Sequence, residues 1–198
     1  MSKLVAIGCS FTDDYINIKN KIIGPVEKIR GYPVWPTILS RKLNMDVVNL
    51  GKIGAGNKYI FDQVVGLNGY IDLVIIMWSG WERENVGTDK TLEYMVESKN
   101  YLIKNNYHYI FVQGVHATFD PRTDDIKKLI NSKNLEEFDN SNFIGWPIFS
   151  EIGGWCIEDK MEERHRYSEH DRHPNKEGHE FIADLFYKKY KEFYKCLI

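Results

Sequence analysis

The chain has 198 residues, 43% of them hydrophobic and 27% charged, which is long enough for one substantial core, and no Pro/Gly/Ser-rich linker divides it. Its formal net charge of -2, from 26 Lys and Arg against 28 Asp and Glu, leaves no basic surplus to attract nucleic acid or an anionic membrane. No apolar run approaches the roughly 18 residues of a membrane span, and the N-terminus lacks a basic segment followed by an apolar one.

A single domain over residues 1–198 is therefore expected, located in the cytoplasm, or in the host cytoplasm or a virion if the source is viral. The cysteines Cys9, Cys156 and Cys196 are odd in number and widely spaced, with no CxxC pair, which fits reduced thiols. No metal and no cofactor is expected.

In chain order, Leu4 to Ile7, Val47 to Leu50, Leu73 to Trp78 and Tyr109 to Gln113 are short, continuous apolar runs, the pattern of parallel strands covered on both faces. Between them the spacing predicts helices over Trp35 to Leu43, Lys58 to Leu67 and Thr91 to Lys104. Each crossover is long enough to return the chain for a parallel strand. A last helix, about Lys176 to Lys195, shows Ile182, Leu185, Phe186, Tyr190 and Phe193 as one core-facing stripe. The stretch from His116 to His170 is irregular, with a helix expected from Asp124 to Asn131 and a fifth strand within Phe143 to Ile157. The fold class is α/β: a three-layer α/β/α sandwich around a central parallel sheet of about five strands.

In such sheets ligands bind beyond the carboxyl ends of the strands, so the post-strand loops carry the chemistry. They read Gly8-Cys9-Ser10-Phe11-Thr12, Gly51-Lys52-Ile53-Gly54-Ala55-Gly56-Asn57 and Ser79-Gly80-Trp81-Glu82-Arg83, with Asp171-Arg172-His173-Pro174 ahead of the last helix. A serine hydroxyl is barely ionised at neutral pH and needs an imidazole within hydrogen-bond reach, itself oriented by an acid. Ser10, His173 and Asp171 are the residues that can fill those roles.

In this order the four loops resemble the SGNH hydrolases, the GDSL-type esterase/lipase superfamily, over the length of the chain. The resemblance implies Ser10 as nucleophile, His173 as base and the Gly54 N–H as an oxyanion donor. Three positions depart from the family pattern. Cys9 stands where the family has Asp before its serine. His170 stands three residues before the histidine, where the family acid sits, and the aspartate is two before, at Asp171. The third loop lacks the oxyanion asparagine, leaving Asn57, with Arg83 as a second group facing substrate, to compensate. Small SGNH-like proteins of phages and bacteria show similar openings.

Each motif has a plainer reading. Gly-x-Ser after a strand also makes turns, Asp-x-His-Pro also caps helices, and Gly54-x-Gly56 before a helix also binds phosphate. The run His165, His170, Asp171, His173 and His179 fits no common zinc spacing and reads as a solvated loop. Trp81, Trp146 and Trp155 are either packing groups or stacking platforms for a sugar or acyl group. Arg83 and Arg122 either meet an acidic substrate or pair with nearby carboxylates.

The leading function is a serine esterase acting on a small-molecule or glycan ester, O-acetyl groups included, with no nucleic-acid or membrane partner. The alternative is a catalytically weak or inactive SGNH-fold binding or accessory protein. A flavodoxin-like nucleotide binder is a third, minor reading.

Overall fold

The computed structural model describes residues 2–18, 21–83, 87–117, 123–132, 136–138 and 142–194. In chain order the elements are β1 (Lys3–Gly8), β2 (Tyr15–Ile18), β3 (Lys21–Pro25), α1 (Val26–Arg30), α2 (Trp35–Leu43), β4 (Asp46–Asn49), α3 (Asn57–Val65) and β5 (Leu73–Trp78). There follow α4 (Gly87–Lys104), β6 (His108–Gln113), α5 (Thr123–Asn131), β7 (Phe143–Ile144), α6 (Ile157–Lys160) and α7 (Lys176–Tyr194).

Five strands form one all-parallel sheet in the order β4-β1-β5-β6-β7. Successive side chains point to opposite faces, so each central strand feeds two cores. Val5, Ile7, Val74, Ile76 and Trp78 pack on one face with Ile60 and Val64 of α3 and Leu92, Met95 and Leu102 of α4. Leu4, Ala6, Leu73, Ile75 and Met77 pack on the other with Trp35 and Leu39 of α2 and Ile182, Ala183 and Phe186 of α7. Every residue of β5 is fully buried, which is why its sequence is continuously apolar. Burying one such side chain contributes roughly 1.5–3 kcal/mol.

The helix ends follow local chemistry. Pro36 sits in the first turn of α2, where its missing N–H is no loss, and Asn44 ends that helix in the left-handed conformation at φ 54°. Trp35 and Leu39 lie one turn apart, and the Trp35 ring tilts against Phe186 of α7 at 4.7 Å.

The strands and helices expected from the sequence are all present, with boundaries shifted by a few residues. The hairpin β2–β3 and α1 are additions. Gly24 and Pro25 interrupt their pattern, and four- and five-residue elements show no periodicity. The fifth strand is only Phe143–Ile144, too short to carry a signal of its own.

Candidate active site

The order of the sheet reverses between β1 and β5, the position at which open α/β folds form a crevice. Ser10 stands two residues beyond the end of β1, at that reversal. The chain turns sharply there, with the Thr12 and Asp13 N–H groups both donating to Cys9 O at 2.9 and 3.1 Å. The turn is tight enough to require glycine at position 8, since a Cβ there would meet Thr12 Oγ1 at 2.3 Å.

The loop after β4 is stitched to this turn. Asn49 Nδ2 donates to Thr12 O at 2.7 Å, Gly51 N–H donates to Asn49 Oδ1 at 2.8 Å, and Ile53 N–H donates to Asp13 Oδ2 at 2.7 Å. At Gly51 a Cβ would lie 2.6 Å from backbone atoms of Thr12 and Asp13, so glycine allows the two loops to touch. Gly54 has a left-handed φ of 74° with nothing within 4 Å of the Cβ position. Among the described residues no hydrogen bond occupies the N–H of Ser10 or of Gly54.

The histidine arrives from the far end of the chain. Asn175 caps α7 by accepting the Gly178 N–H at 3.0 Å, and its amide nitrogen ties back to the carbonyls of Arg164 and Arg166 at 2.8 Å each. With the cap supplied by Asn175, Asp171 is left to serve the imidazole. Asp171 Oδ1 accepts from the His173 backbone N–H at 3.1 Å and lies 2.7 Å from His173 Nδ1. His173 Nε2 is 2.9 Å from Ser10 Oγ. The Phe11 ring flanks the imidazole at 5.6 Å. Partial burial pushes the Asp171 carboxyl up, but the hydrogen bonds from His173, its charge and that of Arg30 outweigh this and hold it below its ordinary value.

Two cavities meet at Ser10 and His173. The larger, about 510 Å³, includes Phe11, Gly80, Glu82 and Arg83 in its walls. The smaller, about 210 Å³, is lined by Tyr15, Ile53, Arg30 and Tyr167 and reaches the buried His179. Arg30 lies 4.2 Å over the Tyr167 ring.

Of the residues expected to act around substrate, Arg83 reaches the larger cavity, with Nη1 3.4 Å from Ala55 O. Asn57 is buried and its amide is engaged: Oδ1 accepts the Ser79 N–H at 2.8 Å and Nδ2 donates to Ser79 O at 3.1 Å. Trp81 corrects the expectation of a stacking platform. It is fully enclosed, donates its indole N–H to Gln113 Oε1 at 3.2 Å and packs edge-on to Phe149. Trp146 and Trp155 also pack against the cores, Trp146 between Phe138 and Phe143.

Among the described residues the late histidines form no group of three metal-binding side chains. His165 is buried against Phe181 and accepts the Glu162 N–H, and His179 accepts the Trp35 N–H through Nδ1 at 3.4 Å. Cys9 and Cys156 are free thiols, while Cys196 and Arg122 lie outside the described residues. Among the described residues no helix is long and apolar enough to cross a membrane.

No protein-family model and no curated protein matches the sequence. Solved structures do match the fold. A proposed lipolytic protein of the G-D-S-L family from Desulfitobacterium hafniense DCB-2 superposes with a TM-score of 0.62 at 18% identity, over 96% of this chain and 99% of that one. A family two carbohydrate esterase from Clostridium thermocellum, in complex with cellohexaose, gives 0.63 at 15% identity, over 96% and 64%. Est24, a carbohydrate acetylesterase from Sinorhizobium meliloti, gives 0.55 at 12% identity, over 97% and 99%. The parallel five-stranded sheet, its covering helices and superpositions that each cover at least 96% of this chain give it the SGNH hydrolase fold.

Proposed function

We propose that this protein is a serine ester hydrolase, with Ser10 as nucleophile, His173 as general base and acid, and Asp171 as the group that orients His173. The observation that carries the reading is the continuous line Asp171 Oδ1, His173 Nδ1, His173 Nε2, Ser10 Oγ, with separations of 2.7 and 2.9 Å across its two side-chain links. Asp171 accepts a hydrogen bond from Nδ1–H, which keeps the hydrogen on Nδ1 and leaves the Nε2 lone pair for the serine proton.

In the first half-reaction Ser10 Oγ bonds to the carbonyl carbon while its proton passes to His173 Nε2. The tetrahedral intermediate collapses as His173 returns that proton to the departing alcohol, leaving an acyl ester on Ser10. Water then repeats the sequence with His173 as base, so one ester and one water give one acid and one alcohol. The N–H groups of Ser10 and Gly54 are the donors offered to the developing oxyanion.

Cavities on both sides of Ser10 leave room for the acyl and alcohol portions of a substrate. A small ester or an O-acetylated glycan is the substrate class favoured, a choice supported by the carbohydrate esterase and acetylesterase among the superposing structures. The alternative of a weak or inactive binding protein has two observations in its favour. The third loop presents Glu82 rather than an amide to the cleft, and the Asn57 amide is committed to Ser79.

Turnover of p-nitrophenyl acetate and butyrate by the wild type, Ser10→Ala and His173→Ala tests the proposal. Both variants are expected to fall by at least about 10³-fold, as for members of one catalytic unit. Labelling with a fluorophosphonate separates the two readings, because only an activated Ser10 reacts. Absence of both turnover and labelling leaves the binding protein.

A further inference from the structure

Apart from the residues around Ser10, one cluster of described residues brings three metal-binding atoms together. The His116 imidazole, the Cys156 thiol and an Asp159 carboxylate oxygen all lie within 4.8 Å of one another. We propose that these three side chains form a zinc site, which clips the loop after β6 to the first turn of α6.

The backbone already presents the set. Cys156 N–H donates to Asp159 Oδ2 at 2.8 Å, so the two side chains lie on the same side of the turn. Glu158 N–H donates to Gly114 O at 3.1 Å, which brings the loop after β6 alongside. His116 Nε2 stands 2.8 Å from Asp159 Oδ1. Tetrahedral zinc with sulfur, nitrogen and oxygen ligands places those atoms about 3.5 Å apart. Side-chain rotations that part His116 Nε2 and Asp159 Oδ1, now 2.8 Å apart, by about 0.7 Å and draw in the wider separations, at most 4.8 Å, convert the observed cluster to that geometry. Thiolate, imidazole and carboxylate together suit zinc better than magnesium or calcium, which take oxygen ligands.

The surroundings support the histidine as a ligand. A metal-bound imidazole usually gives its other N–H to a carboxylate. Glu158, itself buried, places Oε2 3.9 Å from His116 Nδ1 and accepts the His116 backbone N–H at 3.0 Å. Binding through Nε2 puts the ring hydrogen on Nδ1, facing Glu158, and the Cys156 thiol releases one proton to solvent as its sulfur bonds to the ion. The Asp159 side chain remains 25% exposed, which gives the ion a route in and leaves a fourth position for water.

The clip would stiffen a wall of the larger cavity. His116 and Glu158 both line it, and Glu158 Oε1 holds Arg172 at 3.0 Å, the residue before His173. The metal carries no step of ester hydrolysis here, and the inference stands whether or not Ser10 is a nucleophile.

The test is a titration of Co²⁺ into the full-length, chelator-stripped protein, followed by competition with Zn²⁺. The expected result is one ion per chain, with a thiolate-to-cobalt charge-transfer band and strong visible bands of a tetrahedral site, all removed by Zn²⁺. Cys156→Ser abolishes the charge-transfer band, His116→Ala weakens binding by at least about 10-fold, and Glu158→Gln weakens it by about 10- to 100-fold. Ser10→Ala binds like the wild type. Circular dichroism of each variant separates loss of ligand from loss of fold, and His116→Ala, on a half-buried loop, covers the case in which the Cys156 variant does not fold. A folded wild type that shows no charge-transfer band overturns the proposal, as does a band that survives in Cys156→Ser.

Discussion

Asn57 and Ser79 hold each other through two buried hydrogen bonds, Ser79 N–H to Asn57 Oδ1 at 2.8 Å and Asn57 Nδ2 to Ser79 O at 3.1 Å. This clamp joins the start of α3 to the loop after β5, on the side of the cleft where Gly80 and Arg83 lie. Ser79 O has a second donor in Gln113 Nε2 at 2.9 Å, so removing the amide orphans mainly the Ser79 N–H. Asn57→Ala is expected to cost about 1–3 kcal/mol of stability in urea denaturation. A stable Asn57→Ala with turnover reduced by about 10²- to 10³-fold would instead make the amide an oxyanion donor.

Asp171 is, among the described residues, the carboxylate hydrogen-bonded to His173 Nδ1. Replacing it by asparagine keeps the shape but allows the amide to donate to Nδ1, which favours the wrong tautomer for accepting the Ser10 proton. Asp171→Asn is expected to lower kcat by about 10²- to 10⁴-fold with little change in KM, since the residue acts through His173 rather than on substrate. Steady-state kinetics with p-nitrophenyl acetate measure this, and an unchanged kcat would remove Asp171 from the mechanism.

The parts of the architecture that were legible in the sequence are those whose signal is long and continuous. β5 is buried on both faces and reads as six apolar residues, and α4 and α7 run 18 and 19 residues with a clear stripe. Ser10 was legible because it follows the end of a strand, where loops converge in space, and His173 because it stands with Asp171 in an Asp-x-His-Pro ahead of the last helix. What escaped was carried by pairs distant in sequence. Nothing local says that Asn57 turns inward to Ser79, that Trp81 closes against Gln113, or that His116 meets Cys156 and Asp159. Each depends on how two loops pack, which no local pattern of residues encodes.

Gly51 and Gly54 differ in what a methyl group would meet, and the difference is measurable. At Gly51 the added Cβ would collide with the Thr12–Asp13 backbone at 2.6 Å, and that backbone forms the turn presenting Ser10. Gly51→Ala is expected to lose both stability and esterase activity. At Gly54 the space is open and the penalty is conformational, from the left-handed φ of 74°, about 1–2 kcal/mol. Thermal melts and turnover of the two variants side by side decide this, and equal losses in both would contradict the packing argument.

His179 links the site to acid stability. Burial first, and then the positive charges of Arg30 and His173, together lower its pKa to about 3, against an ordinary 6.5. Its Nδ1 accepts the Trp35 N–H, so protonation would also break that bond. Between pH 6.5 and about 3 the unfolded chain binds a proton at this position that the folded chain excludes. The free energy of unfolding therefore falls as the pH falls through that window, by at most about 1.4 kcal/mol per pH unit from this group. His179→Asn keeps an acceptor for Trp35 and does not titrate. Its stability, followed by urea denaturation from neutral pH downward, is expected to decline less steeply than that of the wild type by about one proton's worth. Parallel slopes for the two proteins would mean that His179 charges in the folded state as readily as in the unfolded one.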